Sequence, residues 1–195
     1  MRKTVDYTIL AGLAHAPRSG YDVTKWLAVV ASHFWPVGHS SIYPALAALE
    51  ADGLVHHEAV SSEQGPERKV YSLTDCGREA LLAWVDGPLE TAQVRDAQLV
   101  QALCYGFLPQ ERALARLAQV RRAHVDRLAH YEELERQLRS GHDAEDRTHG
   151  IAGPAYTGTV LVIRCGILSE QSYLRWCDEA MAMIGASPGP NTREG

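Results

Sequence analysis

The sequence contains no run of about 18 apolar residues, so no stretch of it has the length to cross a bilayer as a helix. Its start, Met1-Arg2-Lys3-Thr4-Val5-Asp6, lacks the apolar segment of a secretion signal, and a soluble cytoplasmic protein is expected. Cysteine is sparse. Cys76, Cys104, Cys165 and Cys177 are widely separated, form no Cys-x-x-Cys pair and fall in segments that read as helical. That pattern excludes a disulfide framework or a zinc site and predicts ordinary buried thiols. Catalytic signatures are also missing: there is no Gly-x-Ser-x-Gly elbow, no glycine-rich phosphate loop and no metal triad. An enzyme is the least favoured class, and no cofactor is expected. His15, His33, His56 and His57 lack metal-ligand spacing and read as surface or core histidines. Nor is there a basic excess. Nineteen Lys+Arg face 24 Asp+Glu, a formal charge of -5, and the first 86 residues alone hold seven basic against ten acidic side chains. Net charge therefore gives no argument for nucleic acid.

What the chain does have is enough apolar content, 46% of 195 residues, for packed cores in one domain or two small ones. Its most informative stretch runs from His39 to Val55. Ile42, Leu46 and Leu49 recur at helical spacing and give one apolar face. Hydroxyl side chains in the first turn offer caps, Pro44 falls where a missing N-H removes little, and Gly53 is placed for the left-handed residue that ends a helix. The opposite face carries Ser40, Ser41, Tyr43, Ala47 and Ala48, all able to approach a groove closely.

Strand-like segments follow at Leu54 to Val60 and Lys69 to Leu73, separated by a polar run containing Gly65-Pro66. Helix, strand, polar loop, strand is the order of a winged helix. Seven segments in this order resemble the PadR family of bacterial transcriptional regulators. They are Ile9 to Leu13, Ser19-Gly20-Tyr21-Asp22, Phe34-Trp35-Pro36-Val37, Ser41 to Leu46, Leu49 to Val55, Gly65 to Tyr71 and Leu73 to Arg78. The resemblance implies a mainly α protein with a small β-wing: an N-terminal winged helix-turn-helix and a C-terminal α-helical, coiled-coil-like dimerisation domain. It covers about residues 5 to 185.

Along the chain, a first helix is predicted over Thr4 to His15, with Val5, Ile9, Leu10 and Leu13 inward, stopped by Pro17. Ser19 and Asp22 resemble a capping box opening a second helix with Val23, Trp26, Leu27 and Val30 buried. Thr74 caps a fourth helix carrying Leu81, Leu82 and Val85. The winged-helix domain is placed at 1-87, closing at Asp86-Gly87-Pro88, the helical domain at 88-186 and a disordered tail at 187-195.

The second half reads as helical throughout. Val94, Ala97, Val100, Leu103 and Cys104 make a short amphipathic helix, and a longer one over about Pro109 to Arg139 carries Leu114, Leu117, Leu128 and Leu138. Arg121, His124 and Glu135 fall at its intervening seam positions. Residues 141 to 153 read as a polar loop. From Pro154 to about Ile184, Val160, Ile163, Ile167, Leu174, Cys177, Met181 and Ile184 repeat at alternating three and four spacing, with Glu170 the single polar entry. So regular a seam predicts packing on a second copy, hence a homodimer, as the resemblance also implies.

Function follows from the resemblance. Ser40, Ser41 and Tyr43 are implied to face the major groove, against competing readings of helix capping for the serines and packing under the wing for Tyr43; Arg68 and Lys69 at the wing suit phosphate or minor-groove contact, and Lys25 and Arg18 are candidates near the second helix. The reading helix has no Lys or Arg, so bidentate readout of guanine is closed to it and hydroxyls, apolar contacts and DNA shape must serve. The expected partner is a double-stranded operator, bound by a repressor that a small aromatic or drug-like effector releases. Arg121, His124 and Glu170, with Tyr105, Tyr173 and Trp176, are candidate effector residues; the competing reading of the three polar ones is a salt-bridged register lock. The alternative to a DNA-binding regulator is a winged-helix protein-protein interaction module.

Overall fold

The computed structural model describes residues 2–30, 35, 38–62, 65–88, 96–143 and 154–186. The expected tail at 187-195, His33, Val94 and most of the polar loop lie outside them. The chain divides into two units, one built on the residues up to 90 and one on the long helices of the second half.

The first unit opens with α1 (Thr4–His15), which buries Ile9, Leu10 and Leu13. After Pro17 comes a strand of two residues, β1 (Arg18–Ser19), too short to leave a periodic signal. It pairs antiparallel with β3, Arg18 opposite Tyr71. At α2 (Gly20–Val30), the Ser19 hydroxyl donates to Asp22 Oδ2 at 2.6 Å and accepts from the Asp22 backbone N-H at 3.2 Å, the expected capping box. Val23, Leu27 and Val30 are buried, and Trp26 is half-buried.

The reading helix, α3 (His39–Ala51), starts earlier than its hydroxyl residues suggested. Gly38 occupies the N-cap with no side-chain cap bond, so neither Ser40 nor Ser41 caps it. Pro44 consequently lies deep enough to cost one intrahelical hydrogen bond, the one Ser40 C=O would have accepted. At the other end Gly53 has φ +71°, its N-H donates to Glu50 C=O at 2.9 Å, and Leu54 N-H donates to Leu49 C=O at 2.9 Å. These are the two bonds of a helix ending through a left-handed glycine. Strands β2 (Val55–Ser62) and β3 (Gly65–Leu73) form a hairpin longer than expected, because the polar residues Ser61, Ser62 and Gly65 to Arg68 continue the ladder. The sheet order is β1-β3-β2.

Thr74 locks the wing to α4 (Asp75–Val85): its hydroxyl accepts from Gly77 N-H at 3.0 Å and donates to Gly53 C=O at 2.8 Å. Gly77 is forced here, since a Cβ on it would lie 2.0 Å from Leu54 O. The core joins Ile9, Leu10, Leu13, Val23, Leu27, Ile42, Leu46, Leu49, Val55 and Tyr71. Leu81 of α4 packs against it, whereas Leu82 and Val85 are exposed.

In the second unit, α5 (Ala97–Ala102) is shorter than expected and buries none of its residues, so the predicted amphipathic packing is absent. A 3-10 turn over Tyr105–Phe107 leads to α6 (Gln110–Asp143), and α7 (Pro154–Ala186) follows. Residues 141 to 143 belong to α6 rather than to a loop. One cluster holds Tyr131, Leu134, Ile163 and Ile167, with Leu128 and Leu138 against it; another holds Tyr105, Ala113 and Leu117, with Trp176, Met181 and Ile184. Tyr131 lies over Gly166, where a Cβ would meet its ring at 2.5 Å. Of the cysteines only Cys177 is buried; Cys76, Cys104 and Cys165 are exposed, against expectation, because each falls on the outer side of its segment. Among the described residues no helix is long and apolar enough to cross a membrane.

Candidate nucleic-acid interface and effector site

The outer face of α3 presents Ser40, Ser41, Tyr43, Ala47 and Ala48, all exposed, directly opposite the buried Ile42, Leu46 and Leu49. Tyr43 is 56% exposed but not loose. Its ring lies so near Gly20, the first residue of α2, that a Cβ there would be 2.6 Å from Tyr43 Cε1. Packing and exposure are therefore combined in one side chain. Beside it on α2, Tyr21 is 58% exposed and the Lys25 ammonium sits 5.0 Å from its ring centre. Sequence pattern pointed to Lys25 and missed Tyr21, whose exposure depends on where α2 turns its first face.

Arg68 and Lys69 are exposed on β3, opposite Val60 and Ala59. Arg18 is different. Its Nε donates to Gly12 C=O at 3.2 Å, its guanidinium lies 5.7 Å over Trp26, and burial lowers its pKa. It is a packing residue and leaves the set of phosphate contacts. A second unanticipated feature ties helix to wing: Glu50, in the last turn of α3, accepts from His57 N-H at 3.1 Å and from His57 Nδ1 at 2.5 Å. These bonds hold the Glu50 carboxyl below its usual range, and they turn the helix's one carboxylate toward β2.

In the second unit the six effector candidates separate into three places. His124 and Glu170 are buried together, His124 Nδ1 donating to Glu170 Oε2 at 2.5 Å. Arg127 Nε donates to the other carboxylate oxygen at 3.2 Å. Tyr173 stacks face to face on His124 at 4.2 Å and 11° and donates its phenolic hydrogen to Asp96. That bond first, and burial second, push the Tyr173 phenol up to about 12, and the same bond draws the Asp96 carboxyl down. Tyr105 and Trp176 belong instead to an apolar groove of about 450 Å³, lined also by Leu99, Ala102, Leu103 and Met183. Arg121 is in neither place. Its Nε donates to Asp178 at 2.7 Å and its side chain is 41% exposed, so it is a surface ion pair and not a seam residue. Among the described residues no cluster of three or more His, Cys, Asp or Glu side chains is placed to hold a metal ion.

Residues 9–83 match the Transcriptional regulator PadR-like family, and residues 94–184 match the family Virulence activator alpha C-term. The winged-helix unit belongs to the PadR-like family. The negative transcriptional regulator PadR of Bacillus subtilis is 28% identical over 188 residues, 93% of this chain and 98% of the relative. The crystal structure of Bacillus subtilis PadR in complex with operator DNA matches with TM-score 0.81 at 24% identity, covering 93% of this chain and 99% of that one, a likeness of fold. The crystal structure of the same regulator in complex with p-coumaric acid matches with TM-score 0.75 at 25% identity, covering 94% and 96%. The winged helix with a helical C-terminal half is thus the PadR architecture.

Proposed function

We propose that this transcriptional regulator is a homodimeric repressor that grips a double-stranded operator through α3 and the wing and leaves it when a small aromatic molecule occupies the helical unit. The observation that carries the reading is the division of α3: one face wholly buried, the other composed of small hydroxyl and methyl side chains around a braced, half-exposed Tyr43. Such a surface enters a major groove without steric hindrance, and the serine and tyrosine hydroxyls reach base edges. Lys25, Arg68 and Lys69 serve the phosphates. The operator and p-coumarate complexes of Bacillus subtilis PadR support both halves of the proposal.

The effector seat is the groove beside Tyr105 and Trp176, of a size that small ligands fill. His124, Glu170 and Tyr173 stand behind it as a hydrogen-bonded support. No catalytic step is assigned to any of them. The seam of α7 is covered within the chain, Ile163 and Ile167 packing on Tyr131 and Leu134, so it is the exposed Leu161 and Leu168 on the other side of α7 that support dimerisation.

Fluorescence anisotropy on the protein's own promoter and on an unrelated duplex, across a salt series, tests the DNA reading. Promoter preference that falls steeply with salt is expected. Equal weak binding to both duplexes overturns it and favours a protein-docking role for the winged helix.

A further inference from the structure

The short helix α5 stands in an unusual position. It has six residues and buries none, with Leu99 40%, Val100 64% and the following Leu103 81% exposed. A helix so short does not hold its form in water by itself. Ala102 packs only in part against the Tyr105 cluster. What holds α5 down is polar. Asp96, its N-cap, accepts from Gln98 N-H at 2.8 Å and Leu99 N-H at 3.4 Å through one carboxylate oxygen, and takes the Tyr173 hydrogen on the other. The Gln98 side-chain amide lies 3.3 Å from His124 Nε2, which, with Nδ1–H given to Glu170, is the acceptor for the amide NH2. Both tethers end on the same stacked pair, Tyr173 on His124, which Glu170 and Arg127 fix from behind.

Leu99, Ala102 and Leu103 are also one wall of the apolar groove, opposite Trp176, Ala180 and Met183 of α7. Among the described residues lining it, Tyr105 is the one ionisable side chain. We propose that α5 is a hinged wall of this groove, latched by Tyr173 on Asp96 and by His124 on Gln98, and that an uncharged aromatic ligand enters by releasing the latch. The proposal rests on the effector reading above for its ligand, and on geometry alone for its latch. Lifting α5 breaks two tethers and disturbs no buried side chain of α5, so it belongs to the least stable end of the unit's opening motions.

Hydrogen exchange on the full chain, without ligand, tests the latch. Tyr173→Phe keeps the ring stack and removes the tether; residues 97–107 should then exchange about tenfold faster while 114–138 and 160–176 are unchanged. Asp96→Asn keeps one oxygen to cap α5 but puts an NH2 where the other oxygen accepted the Tyr173 hydrogen, so it should likewise speed exchange over 97–107. Unchanged exchange over 97–107 in Tyr173→Phe overturns the latch, and so does acceleration spread through α6 and α7. The ligand is tested separately with the neutral aromatic dye N-phenyl-1-naphthylamine. Tighter dye binding by Tyr173→Phe than by the parent, about fivefold, is expected because opening is already achieved. No dye binding by either protein overturns the groove as an aromatic site, while the exchange result stands on its own. Protection of 97–107 that grows with protein concentration and is indifferent to dye overturns the small-molecule occupant in favour of a second copy.

Discussion

Tyr43 illustrates what could and could not be read at the scale of single residues. Its place off the Ile42, Leu46, Leu49 stripe made it outward-facing from sequence alone. Its support could not be read, because Gly20 is more than twenty positions away and a glycine advertises nothing about which ring lies on it. Tyr43→Ala should weaken operator binding by about tenfold while the thermal midpoint stays within a few degrees, checked by anisotropy and circular dichroism. Gly20→Ala should also weaken operator binding, since the added methyl displaces the ring. The same kind of close approach makes Gly77 structural: Gly77→Ala should cost about 2–3 kcal/mol in urea denaturation, because its neighbour is backbone and cannot step aside. Glu50 gives a pH signature. Its folded pKa is depressed, so its contribution is present above the free carboxylate range and is lost as pH falls through the lower folded value. Glu50→Gln should flatten the acid limb of the stability profile, measured by denaturation between about pH 3 and 5.

Among the elements, legibility tracked burial. The α7 repeat was plain in the sequence because Ile163, Ile167 and Cys177 are buried at constant spacing, and Glu170 interrupts it where the buried pair lies. By contrast α5 misled, because Val100 and Leu103 have helical spacing and yet pack on nothing within their unit. Periodicity reports a face and not what covers it. Arg121 misled for a related reason: it sits one turn from His124 on α6, but the helix carries it to the rim, where Asp178 meets it. Two tyrosines mark the packing of α6 with α7. Burial raises Tyr131, and the Asp96 hydrogen bond Tyr173, each to about 12. A raised acid pKa means the neutral phenol is favoured in the folded state, so this stability is complete below about pH 10 and lost as pH rises toward 12. Absorbance titration at about 295 nm should show three of the eight tyrosines, Tyr71, Tyr131 and Tyr173, ionising late, one of them gone in Tyr173→Phe.

For the whole molecule, a formal charge of -5 leaves DNA binding to placement of a few cations rather than to bulk attraction. Replacing Lys25, Arg68 or Lys69 by Ala should weaken binding to every duplex alike and reduce the salt slope by about one for each phosphate that is no longer neutralised. Background association with unrelated DNA should be correspondingly slight. A homodimer also makes the thermal midpoint rise with protein concentration, and a midpoint independent of concentration over about a hundredfold range would contradict the dimer reading.

The seat of Tyr43 on the backbone of Gly20 has a temporal consequence. A ring already confined before DNA arrives has little orientational freedom to surrender on contact, so encounter and docking need not wait for it. Its influence falls on how long the complex lasts. Loss of the ring should leave the association rate nearly unchanged and shorten the residence time of the regulator on its operator.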